Sequence, residues 1–155
     1  MSDASERFTL DTNLLVYSVD RASASKHRLA LEIVDRAPDV DCWLTLQAVS
    51  EFYSAVTRKA IMPPSRAAAL GGSWLTLFQC AVVSASAVRT ALADAVVGRA
   101  SYWDALLVAT AAEAGCKLIL TEDIADGSTF GGVAIHNPFA AGGGLTERAR
   151  GLLDL

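Results

Sequence analysis

Phe8-Thr9-Leu10-Asp11-Thr12-Asn13-Leu14-Leu15-Val16-Tyr17 is the stretch on which the fold turns. Phe8–Leu10 is short, apolar and lacks polar alternation, as in a strand covered on both faces. An acid ends it, and a segment from Asn13 to Val19 then reads as a helix. In open α/β sheets ligands gather at the carboxyl ends of strands, near a switch point in strand order. Asp11 therefore stands at an address suited to chemistry. The competing role is structural: Asp11 or Asn13 can cap the helix that follows. The stretch by itself does not choose between them.

The same rhythm extends along the chain. Further strands are predicted at Cys42–Thr45, Ala81–Val83, Leu118–Leu120 and Val133–Ile135. Between them lie helical segments: Ser23 to Arg36, Gln47 to Ala60, Ser65 to Phe78, Ala87 to Val97, and Ser101 to Ala114 with Gly115 just past its end. Such alternation predicts an α/β fold with a parallel sheet. After Phe139 the pattern changes. Gly142-Gly143-Gly144 precedes a short mixed-charge segment, so 140–155 is either a mobile tail or a small extra helix, set apart from a domain spanning 1–139.

At 155 residues the chain fits one domain, and 52% hydrophobic residues suffice for a core. No apolar run reaches the roughly 18 residues of a membrane span. The polar stretch Met1 to Arg7 lacks the apolar region of a secretory leader, which predicts a cytoplasmic protein. Cys42, Cys80 and Cys116 are odd in number and form no C-x-x-C pair, so buried free thiols are expected rather than disulfides. His27 and His136 make no zinc pattern. The net charge of −4 argues against binding nucleic acid by a bulk positive field. Without Asp11, Glu51, Asp104 and Asp123, however, acids and bases balance at thirteen each. An acidic site neutralised by cations therefore leaves RNA binding open.

Those four acids are the candidate centre. Asp123 follows the strand Leu118–Leu120 through Thr121-Glu122, the same address as Asp11 on a second strand. Glu122 and Asp126 compete for its role, although Asp126-Gly127 also reads as an ordinary turn. Asp104 lies in the apolar helix that begins Ser101-Tyr102-Trp103, where an acid is costly to bury unless paired or metal-bound. Ser101 and Asp104 also resemble a capping box, and the two roles are compatible. Glu51 sits early in a helix beside Ala48, Ser54 and Ala55, small neighbours that leave room for a ligand; alone it reads as a solvated helix acid rather than a functional one. Converging carboxylates raise each other's pKa, and a hard divalent cation relieves the conflict. Two such ions about 4 Å apart can stabilise an in-line phosphoryl displacement.

In sequence order, Leu10 to Tyr17, Gln47 to Tyr53 around Glu51, Tyr102 to Leu107 around Asp104, Leu120 to Asp123, and Gly132 to Ile135 closing on Asn137-Pro138-Phe139 resemble the PIN-domain family. The likeness is to its VapC-like toxin ribonucleases and spans about Phe8 to Phe139. It implies a PIN-like three-layer α/β/α fold with a five-stranded parallel sheet in the order 3-2-1-4-5. It further implies a single-strand-specific endoribonuclease in which Asp11, Glu51, Asp104 and Asp123 hold Mg²⁺ or Mn²⁺. Thr12 and Asn13 would orient Asp11, and Thr121 would support Asp123. Hydrolysis by metal-activated water would leave 5′-phosphate and 3′-hydroxyl ends. The family's fourth acid varies in position, so Glu122 or Asp126 could share the role of Asp123. Toxins of this kind imply an RNA substrate, a cognate antitoxin and a homodimer.

Two other readings compete. A PIN-like module that binds RNA or protein without cutting would be expected to lack one of the acids. A receiver-like phosphoryl-transfer domain would want a second acid close after Asp11 and a lysine at a later strand end, whereas Thr12-Asn13 follows Asp11 and Lys117 precedes its strand. Candidate RNA contacts are Arg21, Lys26, Arg28, Arg58, Lys59 and Arg99.

Overall fold

The computed structural model describes residues 6–155. Residues 1–5, most of the segment weighed above as a leader, lie outside the described residues. Six strands form one sheet: β1 Phe8–Leu10, β2 Cys42–Thr45, β3 Gln79–Ala81, β4 Leu118–Leu120, β5 Thr129–Phe130 and β6 Val133–His136. Their order is β3-β2-β1-β4-β6-β5. The first five in that order are parallel, as expected, and correspond to the anticipated 3-2-1-4-5. The addition is β5, which pairs antiparallel with β6 through a turn at Gly131 and Gly132. Both glycines have positive φ, 57° and 81°, the backbone that a two-residue hairpin turn demands.

Among the described residues there are seven α-helices: α1 Thr12–Tyr17, α2 Ser25–Arg36, α3 Leu46–Arg58, α4 Pro64–Leu77, α5 Ala85–Val96, α6 Tyr102–Glu113 and α7 Glu147–Leu153. Alternate strand residues separate the two faces. Leu118 and Leu120 join Phe8, Leu10 and Leu44 in a core with Leu14, Ile33, Phe52 and Trp74 of α1 to α4. Ile119, Val133 and Ile135 face Leu107, Val108 and Ala111 of α6 on the other side, and α5 packs Ala87 and Ala91 against Ala105 and Leu106. The result is three layers, helix–sheet–helix. α6 is apolar around much of its circumference, with six residues buried. It ends at Gly115, whose φ of 82° allows the N–H of Cys116 to reach the Ala111 carbonyl at 2.9 Å.

β3 lies two residues earlier than the predicted Ala81–Val83. The ladder on β2 pairs Trp43 with Gln79 and Thr45 with Ala81. Val82, which made the later run look like a strand, is 67% exposed. Residues 140–155 carry α7, with Leu145, Ala149 and Leu153 buried in the same core as β1. His136 Nε2 lies 2.7 Å from the Thr146 hydroxyl, which also caps α7, so this helix is tied to the end of β6. Cys42 and Cys116 are buried and Cys80 partly so; all three are free thiols. No helix among the described residues is long and apolar enough to cross a membrane.

Candidate active site

The chain runs from β1 to β2 on one side and later returns to β4 on the other, so β1 and β4 flank a reversal of strand order. Leu10 pairs with Leu120 in parallel register, and the Asp11 N–H donates to the Leu120 carbonyl at 3.0 Å. That register sets Asp11 beside Thr121. The Thr121 hydroxyl donates to Asp11 Oδ2 at 2.7 Å, and the Thr12 N–H donates to Asp11 Oδ1 at 2.7 Å. Asp11 is thus also the N-cap of α1, so the cap and site roles coincide. Thr121 Oγ1 also accepts from the Asp123 N–H at 3.1 Å, which fixes the loop carrying the second acid.

The other two acids come from helices on opposite faces of the sheet. Glu51 projects from α3. Its Oε2 accepts from the Thr12 hydroxyl at 3.2 Å and its Oε1 from Gln47 Nε2 at 2.8 Å. Asp104 lies in the first turn of α6, where its N–H donates to Ser101 Oγ at 3.2 Å and the helix dipole favours a negative charge. Four elements therefore deliver one carboxylate each: the ends of β1 and β4, and the early turns of α3 and α6.

Their charges act on one another. Burial pushes the Asp11 carboxyl up to about 6; hydrogen bonds from Thr121 and Thr12 pull it down, and the nearby charges of Asp104 and Asp123 raise it further. Asp104 is raised by burial, opposed by Ser101, and raised again by Asp123 and Glu51. Seven ion pairs are found among the described residues, and none involves any of these four acids.

The competing acids are engaged elsewhere. Glu122 accepts a hydrogen bond from the Tyr17 hydroxyl and pairs with Lys26 Nζ at 2.8 Å. Burial pushes its carboxyl up, but the Lys26 and Tyr17 contacts outweigh that and hold it below its ordinary value. Lys26 also stands over the rings of Tyr17 and Phe139, 5.3 Å and 5.9 Å from their centroids. Asp126 accepts from the Asn137 N–H at 2.8 Å and faces His136 at 3.6 Å, a turn role away from the centre. Asn13 makes no hydrogen bond to Asp11. Instead both polar atoms of its carboxamide are buried without a partner, two residues past Asp11.

The donor set can be tested against a divalent ion. Among the described residues, no three Asp, Glu, His or Cys side chains stand close enough together to enclose one in this arrangement. In kind they fit: every donor is an oxygen, the acids lack basic partners, and the orphaned Asn13 carboxamide calls for a water or an ion. Sequence reasoning did not single out Gln47, which steadies Glu51, or Tyr17, which draws Glu122 aside. Their spacing from Glu51 (i, i+4) and from Asp11 offered the only signals.

Of the basic residues considered for RNA contact, Lys26 is spent on Glu122 and Arg99 on Asp94. Arg21, Arg28, Arg58 and Lys59 have no acidic partner among the described residues.

Fold and site together define a three-layer α/β/α protein with an acidic centre at the carboxyl edge of a parallel sheet. The PIN domain family model matches residues 8–125, and the chain belongs to that family. Solved structures share the fold. VapC20 from Mycobacterium tuberculosis, described as a sarcin-ricin loop cleaving toxin, is 18% identical, with 75% of this chain and 89% of that one covered at a TM-score of 0.61. A DNA-bound VapBC from Salmonella typhimurium is 14% identical over 84% and 97%, TM-score 0.57. A toxin–antitoxin complex from Klebsiella pneumoniae is 21% identical over 81% and 94%, TM-score 0.55. No curated protein sequence matches the chain.

Proposed function

We propose that this protein is a metal-dependent single-strand endoribonuclease, the toxin of a toxin–antitoxin pair, with Asp11, Glu51, Asp104 and Asp123 holding Mg²⁺ or Mn²⁺. One observation carries the reading: four elements bring four carboxylates without a basic partner to one edge of the sheet, where the charges of Asp104 and Asp123 bear on buried Asp11, which is raised to about 6, and those of Asp123 and Glu51 bear on Asp104. Burying unpaired charge is costly, and a cation is the natural relief.

A bound divalent cation would supply charge neutralisation and an activated water for attack on phosphorus, leaving 5′-phosphate and 3′-hydroxyl ends. The residues do the positioning. Thr121 and the Thr12 N–H fix both oxygens of Asp11, so it presents itself without reorganisation. Thr12 also holds Glu51, linking α1 to α3 across the site. Asp104 is kept at the positive end of α6, and Thr121 sets the loop of Asp123. No histidine is needed as base.

The proposed antitoxin partner draws support from the similar folds, two of which are toxin–antitoxin assemblies. Exposed Leu75 and Leu77 of α4, and Leu92 and Val96 of α5, offer apolar area to that partner or to a second copy in a homodimer. The reading assigns the protein to the cytoplasm, with its RNA substrate. An alternative, a PIN-like module that binds without cutting, draws on the lack of three converged ligands among the described residues.

The test is cleavage of a mixed RNA pool with Mn²⁺, with Mg²⁺ and with EDTA, beside Asp11→Ala. Metal-dependent cutting that disappears in the variant supports the nuclease. Cutting that survives both EDTA and the substitution removes it. Mn²⁺ uptake measured by calorimetry separates a narrow-target nuclease from a module that binds no metal.

A further inference from the structure

Trp103 precedes the candidate ligand Asp104 yet is 60% exposed, an unusual outlay of aromatic surface beside a polar centre. Its place is fixed from two sides. Its carbonyl accepts from Gln47 Nε2 at 3.0 Å, the same amide group that steadies Glu51. Its ring meets Tyr102 edge-on, with centroids 5.0 Å apart. Two shallow grooves meet at Trp103, Glu51 and Ser54. One, about 470 Å³, runs past Thr12 and Ala55 to Arg58. The other, about 400 Å³ and mainly apolar, passes over Leu46, Val83 and Leu106.

The first groove brings together a carboxylate of the candidate centre (Glu51), an indole (Trp103) and a guanidinium (Arg58). Arg58 is exposed, has no acidic partner among the described residues, and is followed by Lys59, equally free. Proteins that hold single strands combine aromatic platforms for bases with cations for phosphates. An apolar protein partner would find use for the indole but none for the arginine and the acid flanking it. A single strand finds use for all three, with the acid acting through its cation.

We propose that Trp103 and Arg58 form a nucleotide subsite next to the metal centre: Trp103 stacks one unpaired base of the substrate strand, and Arg58 holds a neighbouring phosphate. Sequence choice is weak in this subsite, because any base offers a face for stacking. The proposal rests on the nuclease reading for the identity of the strand, and its test can fail independently of that reading.

The probe is a fluorescein-labelled ten-nucleotide single-stranded RNA, titrated with Ca²⁺, a hard cation that neutralises oxygen ligands, and checked by gel to stay uncut. Trp103→Ala is expected to weaken binding roughly 5- to 150-fold, the range for removing one base–aromatic stack, and Trp103→Phe to recover much of it. Arg58→Ala is expected to lower the slope of log affinity against log salt by about one. A duplex of the same sequence should be insensitive to Trp103→Ala. Equal affinity of wild type and Trp103→Ala for the single strand overturns the subsite, as does failure of the wild type to bind it. So does a loss confined to self-association, seen as a dimer-to-monomer shift by light scattering with RNA affinity unchanged; that result gives the surface to a second copy. If wild type cleaves RNA but Trp103→Ala leaves KM unchanged, the subsite falls and the nuclease stands. If oligonucleotide binding needs Trp103 but the protein neither cleaves RNA nor takes up Mn²⁺ by calorimetry, the nuclease falls and the subsite stands.

Discussion

Asp11 shows how one residue can serve structure and chemistry together. As N-cap of α1 it is held rigidly, and as a buried acid near Asp104 and Asp123 it is raised from 3.8 to about 6. Between about pH 4 and 6 the folded protein therefore holds more protons than the unfolded chain. Without metal, that contribution to stability is full below pH 4 and is lost as pH rises through 6, amounting to roughly 3 kcal/mol at most. Asp11→Asn, which cannot ionise, should be more stable than wild type at pH 7 in EDTA by about 1–3 kcal/mol, with the gap closing toward pH 4. Urea unfolding at several pH values reads this directly, and a less stable variant at pH 7 would refute it. The Tyr17–Glu122–Lys26 cluster predicts a second contrast. Glu122→Gln should leave Mn²⁺ affinity within a few-fold of wild type, while Asp123→Asn should lower it by an order of magnitude or more. Calorimetric titration decides between them, and the reverse ranking would make Glu122 the ligand. From sequence, Asp11 and Asp104 could be seen at strand and helix ends but not told apart from caps. Both are capped or capping, because the unsatisfied N–H groups that favour an acid there also orient it. Glu122, Asp123 and Asp126 could not be separated, because their side-chain directions depend on α1, α2 and β6.

The elements were legible wherever local pattern and tertiary pairing agreed. β1, β2 and β4 coincide with their predicted spans, since each is buried on both faces and its ends are set by polar or turn residues. β3 was misread by two residues because hydrophobicity marked Val82, whereas pairing with β2 chose Gln79–Ala81. β5 was missed: two residues of mixed character carry no period, and the pair exists only through its neighbour β6. The end of α3 offers a prediction at this scale. Ala60 sits at φ 55°, with its N–H donating to the Thr57 carbonyl at 3.2 Å and the next N–H, from Ile61, reaching Val56 at 2.9 Å. That left-handed position favours glycine. Ala60→Gly should raise stability by about 0.5–1 kcal/mol, the relieved strain less the added freedom of the unfolded chain. An unchanged or lower urea midpoint would count against that reading of the turn.

At the scale of the whole molecule, the acidic excess lies in the site. With its four acids set aside the charges balance, so filling the site should change how the protein behaves as a whole. Mn²⁺ at a hundred times its dissociation constant should stabilise the fold by about 2.7 kcal/mol, seen as a rise in Tm that EDTA reverses. A Tm indifferent to Mn²⁺ would favour a module that binds no metal. The α7 segment could not be assigned from sequence because its Gly142–Gly144 lead-in reads as a linker, yet Ala149 and Leu153 sit in the main core. Burial of a few apolar residues spaced along a short helix leaves little periodic trace.

The hairpin closing the sheet has a consequence for life at high concentration. The sheet's two rims are β3, three residues long, and β5, two residues long and followed at once by Gly131 and Gly132 in a positive-φ backbone that a growing ladder cannot continue. Open rims template the addition of foreign strands; short or sharply turned ones deny them a run of free amides. This protein should therefore resist cross-β aggregation, and any self-assembly would have to proceed through helical surfaces rather than by extending the sheet.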